Sequence, residues 1–378
     1  MAYLVICWID ALAAGKKVAT YCSDVSGAFD KVSTQRLIAK LKAQKVHPDL
    51  LAVIASWLRQ RTALVVSGGK FSNPLTLKDM LFQGTVWGPN LWNAFFKDAS
   101  RAIKEHLFTE IVYADDLNAY KICESADSNE TIKENINRCQ SELHKWGRAN
   151  QVAFDAGKES KHILSLTESE GKDFKILGVL FDCQLDMTAA VNDIVNSASW
   201  KIRTLLRTQR FYTTGELVVL YKSQLLSYIE YRTAAIYHAL REILARLDNI
   251  QTKFLQDAGV TAEEALMEFN LAPLAMRRDI AMLGLIHRAA LGKGPPQLRQ
   301  LIKRRPGSCM IVDPYENVTR RPIIRRSMWG LVPVYNRLGS AAQSKQTVKD
   351  FQTGLQERVK RLLQAGHTDR WQCTYSPR

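Results

Sequence analysis

An α+β domain followed by an all-helical region is the fold class this sequence predicts, on three observations. Over residues 1–190, apolar runs of strand length alternate with segments whose apolar residues recur every three or four positions. Over 188–291 only the helical spacing remains. The charge is also split in two: residues 1–190 hold 23 Lys+Arg against 22 Asp+Glu, a net of +1, while 191–378 hold 29 against 15, a net of +14. A basic half beside a near-neutral one suits a polyanion-binding protein, because each Lys or Arg that neutralises a phosphate releases a counterion. At 378 residues, 46% of them hydrophobic, the chain has room for two or three domains with buried cores.

The elements follow in order. Residues 1–9 are apolar but lack a basic flank, and Asp10 interrupts the run, which predicts a buried helix and not a secretory leader. Residues 18–23 read as a buried strand, 33–45 and 48–59 as helices, and 63–67 as a strand. Gly88-Pro89 opens a helix to about Lys104, since proline is tolerated in a first turn. Two short apolar runs around Ala114-Asp115-Asp116 predict a β-hairpin with both aspartates at its tip. A long amphipathic helix covers 127–147, and strands are expected at 163–166 and 174–180. Beyond Gly292 the basic runs Lys303-Arg304-Arg305 and Arg320-Arg321-Pro322, with Arg325-Arg326, read as extended or loosely ordered connections, and the tail from Ala341 as one more helix.

Several function classes drop out. The seven cysteines show no C-x-x-C spacing, which argues against a zinc knuckle or a disulfide framework and for a reducing, intracellular setting in nucleus or cytoplasm. No apolar run approaches the roughly 20 residues a membrane-spanning helix needs.

The chemistry-bearing residues are acidic. Asp24 ends a predicted strand before the Ser26-Gly27 turn, placed to project a carboxylate into an open site. Adjacent aspartates at a hairpin tip repel each other unless solvent or a cation relieves them. Phosphoryl transfer to a 3′-hydroxyl needs such carboxylates, because charge develops on both the attacking and the leaving oxygen and two Mg²⁺ ions stabilise both.

Five motifs occur in order: Asp24-(x)4-Phe29-Asp30, Gln83-Gly84-Thr85-Val86-Trp87-Gly88-Pro89, Tyr113-Ala114-Asp115-Asp116, Lys158, and Ile176-Leu177-Gly178-Val179. Together they resemble motifs A to E of reverse transcriptases, with the flavour of non-LTR, LINE-like retrotransposons. The resemblance implies a polymerase palm, an antiparallel sheet with helices on one face, over 1–186. It implies thumb-like helices over 187–240, and leaves 241–378 as a basic helical region without an assigned role. It also implies an RNA-directed DNA polymerase with two Mg²⁺ ions, Mn²⁺ being an alternative. The partners implied are an RNA template, a DNA primer and deoxynucleoside triphosphates, with no membrane.

Carried over residue by residue, Asp24 and Asp115 resemble the bridging metal ligands, with the Val25 carbonyl a further ligand and Asp116 a supporting carboxylate. Lys158 resembles the general acid for the leaving pyrophosphate. Phe29 resembles the aromatic under the incoming sugar, and Gln83 and Gly84 the loop that contacts the nucleotide. Tyr113, Leu177 and Gly178 resemble primer-positioning residues, and Lys201, Arg203, Arg207 and Arg210 are candidate phosphate contacts. Trp87 and Asn90 depart from the family pattern within the nucleotide loop. Only 23 residues precede Asp24, too few for the family's fingers, so the sequence reads as an N-terminally truncated copy. The alternatives are a catalytically silent nucleic-acid-binding remnant and an unrelated metal-dependent nuclease.

Overall fold

A computed structural model of the chain describes residues 1–77, 79–367 and 371–377. They cluster into two compact units, Lys16–Lys172 and Met1–Gly15 with Asp173–Arg378.

The unit Lys16–Lys172 is built on a four-stranded antiparallel sheet in the order β6-β7-β1-β8, formed by β1 Lys17–Asp24, β6 Thr109–Tyr113, β7 Asp116–Cys123 and β8 Ser160–Leu164. β1 is central, paired with β7 from Lys17↔Cys123 to Asp24↔Asp116 and with β8 from Val18↔Leu164 to Cys22↔Ser160. All its residues but the last are buried, Lys17, Thr20 and Ser23 among them. Five helices belong to this unit: α2 Thr34–Ala43, α3 Pro48–Leu58, α4 Gly88–Phe96, α5 Ala99–Lys104 and α6 Asn129–Asn150. Ala19 and Tyr21 of β1 and Leu117 and Ala119 of β7 share one core with Leu37, Trp92, Phe95, Ile132, Ile136 and Leu143 of the helices. In α6 the buried residues Ile132, Ile136, Cys139 and Leu143 recur at four and three, and Ser128 caps the helix by accepting from the Thr131 N–H.

Two predicted elements are divided. The strand expected at 63–67 is split between β2 Arg61–Ala63, paired with β5 Leu75–Leu77, and β3 Val66–Ser67, paired with β4 Lys70–Phe71. The ladder breaks where the Ser72 hydroxyl accepts from the Val65 N–H at 3.0 Å. The helix expected from Gly88 to Lys104 is interrupted between α4 and α5 at Asp98, whose carboxylate takes Lys40 at 2.7 Å and the Trp146 indole at 3.0 Å.

The other unit contains α1 Ala2–Ala13, the hairpin β9 Phe174–Ile176 with β10 Val179–Phe181, and a series of helices. These are α7 Thr188–Arg207, α8 Thr214–Tyr221, α9 Ser227–Glu230, α10 Thr233–Ile236, α11 Arg241–Asp257, α12 Ala262–Met267, α13 Leu274–Ala290, α14 Pro296–Leu301, α15 Pro322–Arg326, α16 Met328–Asn336, α17 Ser340–Gln343 and α18 Val348–Gln364. A π-helical segment, Lys222–Leu226, joins α8 to α9. The apolar N-terminal run is indeed a buried helix: in α1, Leu4, Val5, Ile6, Trp8, Ile9, Ala11 and Leu12 are all covered.

The basic stretch at 320–326 is not a loose connection. Pro322 starts α15 at a position where its missing N–H costs nothing, and Ile323, Ile324, Met328 and Trp329 are buried. The arginines concealed this pattern, because Arg320 is itself tied down by the Asp313 carboxylate and the Trp329 carbonyl.

Asp10 of α1 is half-buried and accepts from Tyr315 Oη at 2.8 Å and Trp329 Nε1 at 2.7 Å. Burial outweighs these bonds and pushes its carboxyl up to about 6. The folded state therefore holds this proton more tightly than the unfolded state does, so Asp10 favours folding most below pH 4 and loses that contribution as the pH rises through about 6. A shift of that size corresponds to roughly 3 kcal/mol at full effect. The rise in Tm on acidification from pH 7 to pH 5 is expected to shrink in Asp10→Asn, as followed by thermal denaturation.

Candidate active site

The acidic residues converge through strand register. Asp24 is the last residue of β1 and lies opposite Asp116, the first of β7. Asp116 also closes the β6–β7 hairpin opposite Tyr113, so Asp116 lies in the ladder and only Ala114 and Asp115 form the turn. Asp116 therefore bonds toward β6, which makes Asp24↔Asp116 a non-hydrogen-bonded pair. In such pairs Cα atoms approach to about 4.5 Å and side chains on the shared face are closest. The Asp116 carboxyl is pushed above its ordinary value, first by burial and then by the charges of Asp24 and Asp115.

The turn is strained and supported. Ala114 takes φ +55°, a left-handed conformation that costs a non-glycine residue about 1–2 kcal/mol. The Trp92 indole N–H donates to the Ala114 carbonyl at 2.8 Å and pins the turn to α4. Trp92 is itself fixed by stacking on Phe96, with centroids 5.1 Å apart, and by Phe29 at 5.5 Å.

Beyond Asp24 the chain runs antiparallel to residues 153–155. The Ser26 N–H donates to the Ala153 carbonyl at 2.9 Å and the Asp155 N–H to the Asp24 carbonyl at 3.0 Å, with Val25 facing Phe154 between them. Since the flanking residues make these bonds, the Val25 carbonyl turns to the opposite edge, where β7 carries the acidic turn. The same pairing brings Lys158 in, and its Nζ lies 2.6 Å from Asp24 Oδ2 and 3.9 Å from Asp155 Oδ2. Its bond to Asp24 raises the Lys158 pKa, so the ammonium stays protonated. Lys161, which shares a basic stretch with Lys158, instead donates to Asn137 at 2.7 Å.

A neighbouring residue missed in the sequence supports this loop. Glu159 accepts from Gln140 at 3.0 Å, bonds His144 Nε2 at 2.7 Å and takes the Tyr21 hydroxyl. These bonds hold its carboxyl below the usual range although burial opposes them. Glu159 thus fastens the segment carrying Lys158 to the middle of β1. Its partners lie on two separate elements, α6 and β1, so no local pattern announces it.

The nucleotide-loop residues are also placed. Leu81 N–H donates to the Phe29 carbonyl at 2.7 Å, tying the start of the loop to the turn that follows Asp24. Gln83 is exposed and Gly84 sits at φ +81°. Phe29 is partly buried against the core, and a Cβ on Gly88 would meet the Thr85 hydroxyl at 3.0 Å and Phe29 Cε1 at 3.7 Å. Tyr113 is 67% exposed beside the acidic turn.

Residues 9–180 match the family profile described as reverse transcriptase (RNA-dependent DNA polymerase). This segment is similar to reverse transcriptase domains. No curated protein matches the sequence. Among solved structures, the chain is similar to telomerase from Candida albicans in complex with a TWJ fragment of telomeric RNA, at 12% identity and TM-score 0.36, covering 68% of this chain and 47% of that one. It is also similar to apo telomerase from Candida tropicalis, at 10% identity and TM-score 0.39, covering 71% and 56%. The chain spans about half the length of these structures.

Among the described residues no three His, Cys, Asp or Glu side chains form a ready-made metal cage. The donor set at this turn, paired carboxylates plus a backbone carbonyl, still fits Mg²⁺, which is usually held by one or two carboxylates with water and substrate phosphates. The raised Asp116 pKa, driven partly by Asp24 and Asp115, marks negative charge that a cation would relieve.

In the other unit Leu177 and Gly178 form the two-residue turn of β9–β10, at φ +49° and +73°, as a type I′ hairpin requires. The four basic candidates do not form one row. Lys201 lies over the Tyr228 ring at 5.2 Å, Arg203 and Arg207 line a groove with Lys253 and Asp257, and Arg210 stacks on Phe211 at 4.8 Å.

Proposed function

We propose that this chain supplies the palm and thumb of an RNA-directed DNA polymerase from a non-LTR, LINE-like retrotransposon, adding deoxynucleotides to a DNA primer on an RNA template. The observation that carries this reading is the Asp24↔Asp116 register pair with Asp115 in the adjoining turn and Lys158 on Asp24. Asp24, Asp115 and the Val25 carbonyl would hold two Mg²⁺ ions, with Asp116 supporting them. Bound there, the ions would lower the charge cost on the attacking 3′-oxygen and the leaving oxygen. Lys158 stays protonated beside Asp24 and would give its proton to the departing pyrophosphate. Phe29, seated against Trp92, presents a fixed ring below the incoming sugar, while Gln83 and Gly84 offer an amide and open backbone to the nucleotide. In the unit of the acidic turn Tyr113 is a primer contact; in the other unit Leu177 and Gly178 are primer contacts and the helices at 187–240 grip the duplex.

The test is extension of oligo(dT) on poly(rA) with Mg²⁺ and dTTP. Incorporation supports the polymerase, and its absence together with retained nucleic-acid binding leaves a silent remnant. The thumb contacts are read separately by filter binding. Log K is expected to fall linearly with log salt, and the slope should lessen by about 1–2 in the Arg203→Ala, Arg207→Ala double variant.

A further inference from the structure

The hairpin β9–β10 is held at both ends by residues of its own unit. At its base Phe174 and Phe181 stack at 5.9 Å, and the buried Trp8 meets them edge-on at 6.2 and 5.5 Å. At its tip both turn carbonyls are bonded from one short stretch: Tyr231 Oη donates to the Leu177 carbonyl at 3.1 Å, and Arg232 Nε and Nη2 donate to the Gly178 carbonyl at 3.4 Å each. Arg232 also donates through Nη1 to the Tyr228 carbonyl at 3.2 Å and lies 4.3 Å over the Tyr228 ring. A guanidinium has five N–H groups in a rigid fork, so one side chain can brace α9 and the turn together.

The π-helical segment Lys222–Leu226 aims this pair. A π turn adds one residue to a helix and rotates everything after it by about 100°. Tyr228, Tyr231 and Arg232 all follow that insertion, and without its rotation they would leave the face that meets the turn. The turn itself needs support. Leu177 is a non-glycine residue at φ +49°, and a Cβ built on Gly178 would meet nothing within 4 Å, so side-chain packing does not lock the tip.

We infer that Tyr231 and Arg232 are positioning residues: they fix the Leu177–Gly178 turn through its two carbonyls, and through that turn they align the primer terminus. The alignment part rests on the polymerase reading above; the brace rests on geometry alone. Neither residue touches the reacting atoms. Their effect belongs to kcat, since a displacement of about 1 Å at a positioning element costs up to 10²-fold.

Tyr231→Phe removes only a hydroxyl, and Arg232→Lys keeps the charge and stem without the fork. Each is expected to lower kcat for primer extension about tenfold and leave the primer–template Kd within twofold. Amide hydrogen exchange at Ile176 and Val179 should accelerate about tenfold, with exchange in α7 and α11 unchanged. A loss seen wholly as weaker primer–template binding, or an unchanged kcat, overturns the positioning role. If the wild-type chain extends no primer, the polymerase reading fails by itself and the exchange measurement still decides the brace. Unaltered exchange at the turn in both variants refutes it.

Discussion

Asp115→Asn is expected to lower kcat for primer extension by about 10³-fold or more while leaving folding and primer–template binding in place. The carboxylate is asked for several kcal/mol of charge stabilisation through the metal ions, and each 1.36 kcal/mol is about tenfold in rate. Folding should be spared because Asp115 is a turn residue outside the β6–β7 ladder and partly exposed, so no buried partner is orphaned. Removing one of three mutually repelling carboxylates also lowers the Asp116 pKa toward its ordinary value. The check is steady-state extension beside a thermal melt and a Kd measurement. Activity within tenfold of wild type would refute the metal-binding assignment.

The second large effect is on stability. Trp92 is 1% exposed and sits among Phe29, Phe95 and Phe96, so Trp92→Ala is expected to cost about 3–5 kcal/mol through lost burial and the cavity left behind. Urea denaturation should show it as a lower midpoint with an unchanged slope. Trp92→Phe separates packing from pinning. It refills most of the space but withdraws the N–H from the Ala114 carbonyl, which is exposed enough to take water. Stability should fall by only about 1 kcal/mol. Extension should suffer more than stability does, because Ala114 at φ +55° loses the bond that holds the turn carrying Asp115. Equal losses in both measurements would show that Trp92 is core alone.

Much of the fold was legible in the sequence. The strand at 18–23, the helix at 127–147 and the acidic hairpin were readable because each depends on a short apolar period or a turn, and both are properties of neighbouring residues. Errors came where a long-range partner overrode a local pattern. Asp98 lies at the break between α4 and α5, where Lys40 and Trp146 claim its carboxylate, and Pro322–Arg326 folds as helix beside Arg320, which Asp313 and the Trp329 carbonyl hold.

The same division holds for the site. The sequence by itself determined the residue types, their order and their spacing, and from these the resemblance to reverse transcriptases and the chemistry the aspartates would serve. Only the tertiary structure decided that Asp24 faces Asp116 and that Lys158 rather than Lys161 sits on Asp24. It also revealed Glu159, Trp92, Tyr231 and Arg232 as the supports behind the named residues. The reason is one of range. Periodicity and turn chemistry act over a few residues, whereas strand register and buried hydrogen bonds join positions as far apart as Asp24 and Lys158, which are 134 residues distant along the chain.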